Sequence, residues 1–268
     1  MPVWPVEISM ESFRRSHNLE GESFWHNVFD MHKDKMQIKN PNVAIKNLEK
    51  IFTATFKLTT EKGFQAMSLR DLSRETGISM GGLYSYIGSK NDLASVIEGV
   101  LRSTIEQVIG GLSTQNLQLI KSLQAIVYAE IYMMEIMRPW YYFCFMELKG
   151  LPRDQQKQAL DLELRFEVIL MGVFSAGIES GQFVCKKPEL LASQITAQLQ
   201  QWHLKQWKFK LRNVDAQEYA QSIFENLLMC LACKAEVISD QRQGDAVASS
   251  VENVTRNENI AEIDQPAY

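Results

Sequence analysis

The chain has 268 residues, of which 46% are hydrophobic and 22% charged, values ordinary for a globular protein with a sizeable core. Its formal net charge of −4 excludes a uniformly basic nucleic-acid coat protein, but a site-specific regulator needs only a small cationic patch. No basic segment followed by an apolar one opens the chain, and Glu130, Glu135 and Arg138 interrupt the most apolar stretch. We therefore expect neither a secretory signal nor a membrane span. The four cysteines are sparse, which favours a reducing, cytoplasmic location.

Residues 1–40 form an N-terminal extension with one amphipathic stretch. Its apolar residues recur at roughly helical spacing and predict a short helix, which we expect to dock on its own protein. These residues are Phe24, Trp25, Val28, Phe29 and Met31. Lys33, Lys35 and Lys39 follow, and a basic segment of this kind either enters a DNA minor groove or remains a solvated run of charge.

Two longer helices are predicted around a short motif. Pro41 suits the first turn of a helix that stops at Gly63. Ser89 can cap another helix, which starts near Lys90 and is long enough to reach Leu112. This second helix would connect the N-terminal domain to the rest of the chain.

Between those helices, residues 68–87 predict a helix-turn-helix. Ser68 can cap the first helix, and Asp71 three residues later completes a capping pattern. Gly77 suits the left-handed position that ends a helix, and Ser79 can cap the second one. The buried side of the second helix would be Leu83 and Ile87. Two helices of this size at a steep angle place the second where it fits a DNA major groove.

From about Lys46 to Leu101 the sequence resembles, without gaps, the DNA-binding domain of TetR/AcrR-type transcriptional regulators. The matching residues are Ile51, Ala54, Phe56, Glu61-Lys62-Gly63-Phe64, Ala66, Ser68, Leu69-Arg70-Asp71-Leu72, Gly77-Ile78-Ser79, Gly81, Leu83-Tyr84 and Ser89-Lys90-Asn91-Asp92-Leu93. The resemblance implies a DNA-binding domain over residues 41–101.

The resemblance also implies which residues face DNA. They are Ser68, Leu69, Arg70, Ser79, Met80, Gly81, Tyr84, Ser85 and Tyr86, with Lys90 as a phosphate contact. Met80 departs from the polar or basic residue common at its position; it could press on a thymine methyl but could not read a guanine edge. Seven cations against six anions give residues 41–100 a formal charge of only +1. We therefore expect modest, salt-sensitive binding that depends on dimerisation.

Residues 102–239 predict a helical body, so the expected fold class is all-α. Helices are expected near 115–137, 139–149, 153–180, 188–211 and 215–238, and no stretch alternates as a strand would. By resemblance, this domain binds an effector and forms a homodimer.

An aromatic and methionine-rich set suits a cavity that adapts to an apolar ligand, although core packing would explain it nearly as well. The predicted pocket residues are Tyr128, Tyr132, Met133, Met137, Trp140, Tyr141, Phe145, Phe166, Leu170, Phe174 and Trp202. Two helical stripes are candidates for the dimer interface, with packing inside one chain as the alternative. They comprise Leu191, Ile195, Leu199 and Trp202, then Tyr219, Ile223, Leu227 and Leu231.

Residues 240–268 read as a flexible acidic tail. Cys230 and Cys233 lie within an apolar helix without a second pair, so we expect no metal. No nucleophile–base set, phosphate-binding loop or cofactor motif is visible, so we expect neither an enzyme nor a cofactor.

Together, these features and the family resemblance predict a sequence-specific transcriptional regulator that binds double-stranded DNA at a pseudo-palindromic operator. The expected mode is repression relieved by a small apolar or amphipathic effector. Two alternatives stay open: a partner-binding module that has lost operator binding, and an enzyme that uses the aromatic cavity.

Overall fold

Helices make up all the regular structure in the described part of the chain, in agreement with the predicted all-α class. The coordinates are a computed structural model that describes residues 4–38, 40–113, 117–147 and 153–231. No helix in these ranges is long and apolar enough to cross a membrane. Lys39, Cys233 and the predicted tail at 240–268 lie outside the described residues.

Three helices build the predicted DNA-binding domain, here called the head. They are α3 (Pro41–Lys62), α4 (Leu69–Thr76) and α5 (Met80–Tyr84), preceded by α1 (Met10–Ser16) and α2 (Gly21–His32) of the extension. Pro41 occupies the first turn of α3, and the chain leaves that helix at Gly63 with a φ of 79°. Gly77 takes the left-handed conformation after α4, with a φ of 69°. These boundaries confirm the prediction; α5, however, ends at Tyr84 rather than at Ile87.

The helix that leaves the head is α6 (Lys90–Ile105), capped by the Ser89 hydroxyl. It continues through one π-helical turn (Glu106–Gly110) into α7 (Gly111–Ser113). Leu93, Ile97 and Leu101 form part of its buried face. One nearly continuous helical path therefore runs from the head into the body.

The body is built around the most buried helix, α8. Its helices are α8 (Leu119–Ile136), α9 (Arg138–Met146), α10 (Arg153–Glu179), α11 (Pro188–Leu204), α12 (Gln206–Lys210) and α13 (Ala216–Cys230). Helices α10, α11 and α13 all pack on α8.

The predicted single helix over residues 188–211 is broken, and this expectation was wrong. Lys205 leaves helical geometry with a φ of −132° between α11 and α12. The side-chain amide of Gln206 and the indole N–H of Trp202 donate to the same Glu135 oxygen, at 2.7 and 2.9 Å. Because one half-buried carboxylate of α8 accepts from groups on both sides of the break, tertiary contacts favour the kink.

The extension docks on the rest of the chain, as predicted, and does so at two places. Phe13 of α1 packs with Trp4 against Tyr132 of α8, with ring centroids 5.5 and 5.7 Å from the tyrosine. Trp25 of α2 lies 5.7 Å from Phe52 of the head and 6.0 Å from Trp140 of the body. The extension therefore joins head and body through aromatic contacts.

Candidate nucleic-acid interface

Helix α5 presents a small polar face to solvent. The Ser79 hydroxyl caps the helix by accepting the Gly82 N–H at 3.1 Å, and Leu83 anchors the opposite side with no exposure. Gly81 is exposed, and Tyr84 is 50% exposed with no hydrogen bond among the described residues. Met80 and Ser85 are half-buried, and the Ser85 hydroxyl donates back to the Gly81 carbonyl at 3.2 Å. The face of α5 that is predicted to read bases is thus accessible to solvent, except at Tyr86.

Tyr86 corrects the predicted set of exposed residues. Its side chain is 5% exposed, and its hydroxyl accepts a hydrogen bond from the Asn47 amide of α3 at 2.8 Å. The early end of α5 at Tyr84 turns residue 86 inward. Tyr86 therefore anchors the recognition helix to the head instead of facing DNA. Sequence reasoning missed Asn47 because no local pattern distinguishes it from any other polar residue on a helix.

The start of α4 holds a tight charged cap. The Ser68 N–H donates to the Asp71 carboxylate at 2.9 Å, and the Asp71 N–H donates to the Ser68 hydroxyl at 3.2 Å. The Lys62 ammonium pairs with the Asp71 carboxylate at 2.9 Å. Hydrogen bonds from Lys62 and Ser68 hold the pKa of the Asp71 carboxyl far below its usual range. Leu69 is half-buried, whereas Arg70 is exposed and forms no ion pair in the described structure. Of this group, Arg70 is the side chain free to meet a phosphate.

Lys90, the predicted phosphate contact, is directed back into the protein. Its ammonium donates to the carbonyls of Phe64, Gln65 and Met67 at 2.8, 2.8 and 3.1 Å. Burial lowers the pKa of Lys90, while the charge of Glu147 opposes that shift. All three ammonium protons are used here, so Lys90 positions the loop between α3 and α4.

That loop also contacts the body. The Phe64 N–H donates to a Glu147 carboxylate oxygen at 3.0 Å, and the Phe64 ring packs edge-on against Phe143, with centroids 4.8 Å apart. Glu147 follows α9, so the end of that body helix is bonded directly to the helix-turn-helix region.

The sequence of the head matches the sequence model of a known protein family. Residues 51–97 match the family model described as "Bacterial regulatory proteins, tetR family". This match covers the helix-turn-helix and parts of the helices on either side of it, so the head is similar to the DNA-binding domain of tetR-family regulators.

Similarity extends beyond the head. The chain is 25% identical over 195 residues to the transcriptional regulator HbdR of Aromatoleum sp. (strain CIB), covering 73% of this chain and 83% of that protein. It is 26% identical over 130 residues to the transcriptional repressor KstR2 of Rhodococcus jostii (strain RHA1), covering 47% and 62% respectively.

Solved structures share the fold. A tetR-family protein from Rhodococcus RHA1 superposes with a TM-score of 0.63 at 19% identity, over 70% of this chain and 98% of that one. FadR from Bacillus subtilis, solved in complex with stearoyl-CoA, superposes with a TM-score of 0.54 at 16% identity, over 68% and 98%.

In the body, four long helices and α9 enclose a small cavity of about 10 Å³. That volume is close to the space one water needs. Its lining residues are Ile105, Glu130, Met134, Phe145, Phe166, Thr196, Leu199 and Gln200. Phe145 and Phe166 were predicted pocket residues, whereas the polar members Glu130, Thr196 and Gln200 were not.

Nine other predicted pocket residues are buried and do not line this cavity, and their role in a pocket stays a prediction. They are Tyr128, Tyr132, Met133, Met137, Trp140, Tyr141, Leu170, Phe174 and Trp202. Tyr132 and Trp140 are covered by the extension, and Trp202 stacks on Phe209 and Tyr219 at 5.3 and 5.2 Å. Each of these three rings therefore packs against other aromatic side chains.

The residues predicted for the dimer interface also face inward. Seven are buried inside one chain: Leu191, Ile195, Leu199, Trp202, Ile223, Leu227 and Leu231. Tyr219 is half-buried, and its hydroxyl donates to the Gln198 carbonyl at 2.6 Å. Their apolar stripes pack α11 and α13 on α8 within one chain, and their role in a dimer interface stays a prediction. No three metal-ligating side chains converge in the described residues.

Proposed function

We propose that this chain is a TetR-family regulator, a homodimeric repressor whose two α5 helices enter successive major grooves of a pseudo-palindromic operator. The observation that carries the proposal is the outward face of α5, where Ser79, Gly81 and Tyr84 are exposed while Leu83 anchors the helix. Gly81 admits close approach of the DNA backbone, Tyr84 offers a phosphate donor, and Met80 suits a thymine methyl. Repression is favoured because the related KstR2 is a repressor.

We further propose a small apolar or amphipathic effector that opens the body cavity. Ile105, Met134 and Phe166 supply apolar lining, and Ile105 ends the helix that begins beside the recognition helix. Burial raises the pKa of Glu130 to about 8, so at neutral pH its carboxyl is largely protonated and can donate to a ligand carbonyl. A ligand that enlarges this space would displace α6 and alter the separation of the two heads.

Operator binding is tested with duplexes selected from a random pool by the purified full-length protein. Tyr84→Ala removes an exposed phenol, and we expect at least a tenfold loss of affinity for the selected duplex with an unchanged melting temperature. Tyr84→Phe is the matched comparison: it keeps the exposed ring and removes only the phenolic hydroxyl, so its loss of affinity reports the phosphate donor alone. Recovery of no preferred duplex, or equal affinity for the Tyr84→Ala variant, would contradict the proposal and favour the partner-binding module.

Native mass spectrometry of freshly purified protein tests dimerisation and effector binding together. We expect a dimer mass and, where a ligand co-purifies, an added mass that is lost on unfolding. Stearoyl-CoA is the first compound to add to the operator complex, because FadR binds it on the same fold. A strictly monomeric protein would contradict the two-headed arrangement.

A further inference from the structure

The extension ends beside the recognition helix. After α2, one 3₁₀ turn (Lys33–Lys35) leads to Gln37, whose N–H donates to the Ser85 carbonyl at 3.0 Å. Ser85 is the residue that caps the C-terminal end of α5. A backbone hydrogen bond therefore holds the extension against the end of the helix that meets DNA.

A cleft of about 330 Å³ separates this segment from the head. Lys35, His32 and Met36 line the extension side, and the head side is lined by Tyr86, Ile87, Asp92, Ser95 and Val96. Lys35 is exposed and thus stands at the mouth of a cleft whose far wall carries the last residues of the helix-turn-helix.

Most cations near this surface are already neutralised within the protein. Lys33 pairs with Asp30 at 3.1 Å, Lys57 with Glu75 at 2.7 Å and Lys62 with Asp71 at 2.9 Å. Lys90 is committed to three carbonyls. The exposed cations of the extension turn and head that form no ion pair among the described residues are Lys35, Lys46, Lys50 and Arg70. Helix α5 itself contributes no cation.

We infer that Lys35 is a DNA phosphate contact supplied by the N-terminal extension, at the C-terminal end of the recognition helix. Arg70 stands at the start of α4, so Lys35 would extend the cationic surface to the other end of the motif. A lysine on a segment whose backbone is already held in place loses less conformational entropy on binding than a lysine on a free arm. The inference rests on the proposed operator binding.

Two carboxyl groups and one imidazole lie near Lys35. Asp34 lies between the two lysines and Asp92 lies across the cleft, and neither forms an ion pair with Lys35 in the described structure. Burial and the nearby Lys35 charge lower the pKa of His32, so the imidazole adds no positive charge at neutral pH. The contact we infer is therefore at the exposed mouth of the cleft, away from Asp92.

The experiment compares the salt dependence of operator affinity in wild type, Lys35→Ala and Lys33→Ala. Each lysine that neutralises a phosphate contributes about 0.9 to the slope of log affinity against log salt. We expect Lys35→Ala to reduce that slope by about 1.8 per dimer and to weaken binding several-fold at low salt, with the loss shrinking as salt rises. Lys35→Arg should restore the slope. Lys33→Ala, whose ammonium is held by Asp30, should leave it unchanged.

Each outcome has a separate meaning. Equal slopes for wild type and Lys35→Ala, with operator binding intact, would overturn the inference while leaving the proposed function standing. An equal loss of slope in Lys35→Ala and Lys33→Ala would indicate general charge attraction instead of a specific contact by Lys35. That result would also overturn the inference. If the wild type selected no operator duplex, the proposed function itself would be contradicted. Melting temperatures of both variants should match wild type, since neither ammonium is buried.

Discussion

Glu130 is a carboxyl group that is 5% exposed and lies among the core helices of the body. The Tyr141 hydroxyl donates a hydrogen bond to this carboxyl group at 3.2 Å. Burial disfavours the charged form and raises the pKa to about 8, and the hydrogen bond from Tyr141 opposes that rise. Nearby, burial lowers the pKa of His203 to about 4, so this imidazole is also uncharged at neutral pH. These two polar groups in the body core thus carry little charge at neutral pH.

Stability should therefore depend on pH through Glu130. The folded chain holds the proton up to about pH 8, whereas the unfolded chain releases it near 4.5. Between these values the folded state binds one more proton, so the free energy of unfolding falls as pH rises, by at most about 1.4 kcal/mol per pH unit. We expect Glu130→Gln to remove this fall, measured as the difference in unfolding free energy from wild type at pH 5 and pH 8.

A second variant separates burial from hydrogen bonding. Tyr141→Phe removes the contact that favours the charged carboxylate, so the fall in stability should extend to higher pH than in wild type. Parallel stability curves for wild type and Glu130→Gln would show that Glu130 keeps the same charge in both states.

At the scale of one element, α10 contains two glycines in opposite environments. The chain folds back after Gly181, and the N–H groups of Gln182 and Phe183 both donate to the Gly177 carbonyl at 2.9 Å. This turn lays the Phe183 ring on Gly177, so a Cβ there would overlap the ring. A Cβ on Gly172 would meet nothing within 4 Å.

Alanine at the two positions should have effects of opposite sign. Gly177→Ala must displace a ring that is 2% exposed, and we expect a loss of about 3 kcal/mol in unfolding free energy. Gly172→Ala is the matched control and should gain up to about 1 kcal/mol from helix propensity. Chemical denaturation of both variants measures the difference. Similar values would mean that Phe183 does not rest on Gly177 in solution.

At the scale of the whole molecule, Trp140 joins three parts of the chain. Its ring stacks on Phe52 of α3 at 5.1 Å and meets Phe56 at the same distance. Phe24 and Trp25 of the extension lie 5.6 and 6.0 Å away. Helix α9, which carries Trp140, also ends at the Glu147 contact with the head. A single aromatic cluster thus couples extension, head and body.

We expect wild type to unfold in one calorimetric transition and Trp140→Ala to unfold in two, or in one markedly broader transition. The substitution should cost about 3–5 kcal/mol, because it leaves a large cavity at the junction. Trp207→Ala is the control: this tryptophan is 62% exposed, and its loss should leave both the midpoint and the width nearly unchanged. A single sharp transition in Trp140→Ala would mean that other contacts carry the coupling.

Much of the head could be predicted from sequence because its signals are local. Ser68 and Asp71 cap α4, Gly77 ends it and Ser79 caps α5, all through partners within three residues or through the backbone's own conformation. The same holds for Pro41 and Gly63 at the ends of α3. Capping and left-handed glycines act over single turns, so they remain legible without a tertiary structure.

The partners of individual side chains could not be predicted in the same way. Tyr86 bonds to Asn47, 39 residues away, and Lys90 bonds to carbonyls 23 to 26 residues earlier. The stripes on α11 and α13 have the spacing of an interface, yet they pack on α8.

The sequence by itself therefore determined most of the helices, the helix-turn-helix and the resemblance to the tetR family, because those depend on short-range backbone chemistry and a contiguous pattern. Only the tertiary structure decided which side of each helix meets water, because an apolar stripe is equally satisfied by its own chain or by another. For the same reason, the packing of the extension against head and body could be assigned only from the tertiary structure, which gives its aromatic residues their partners.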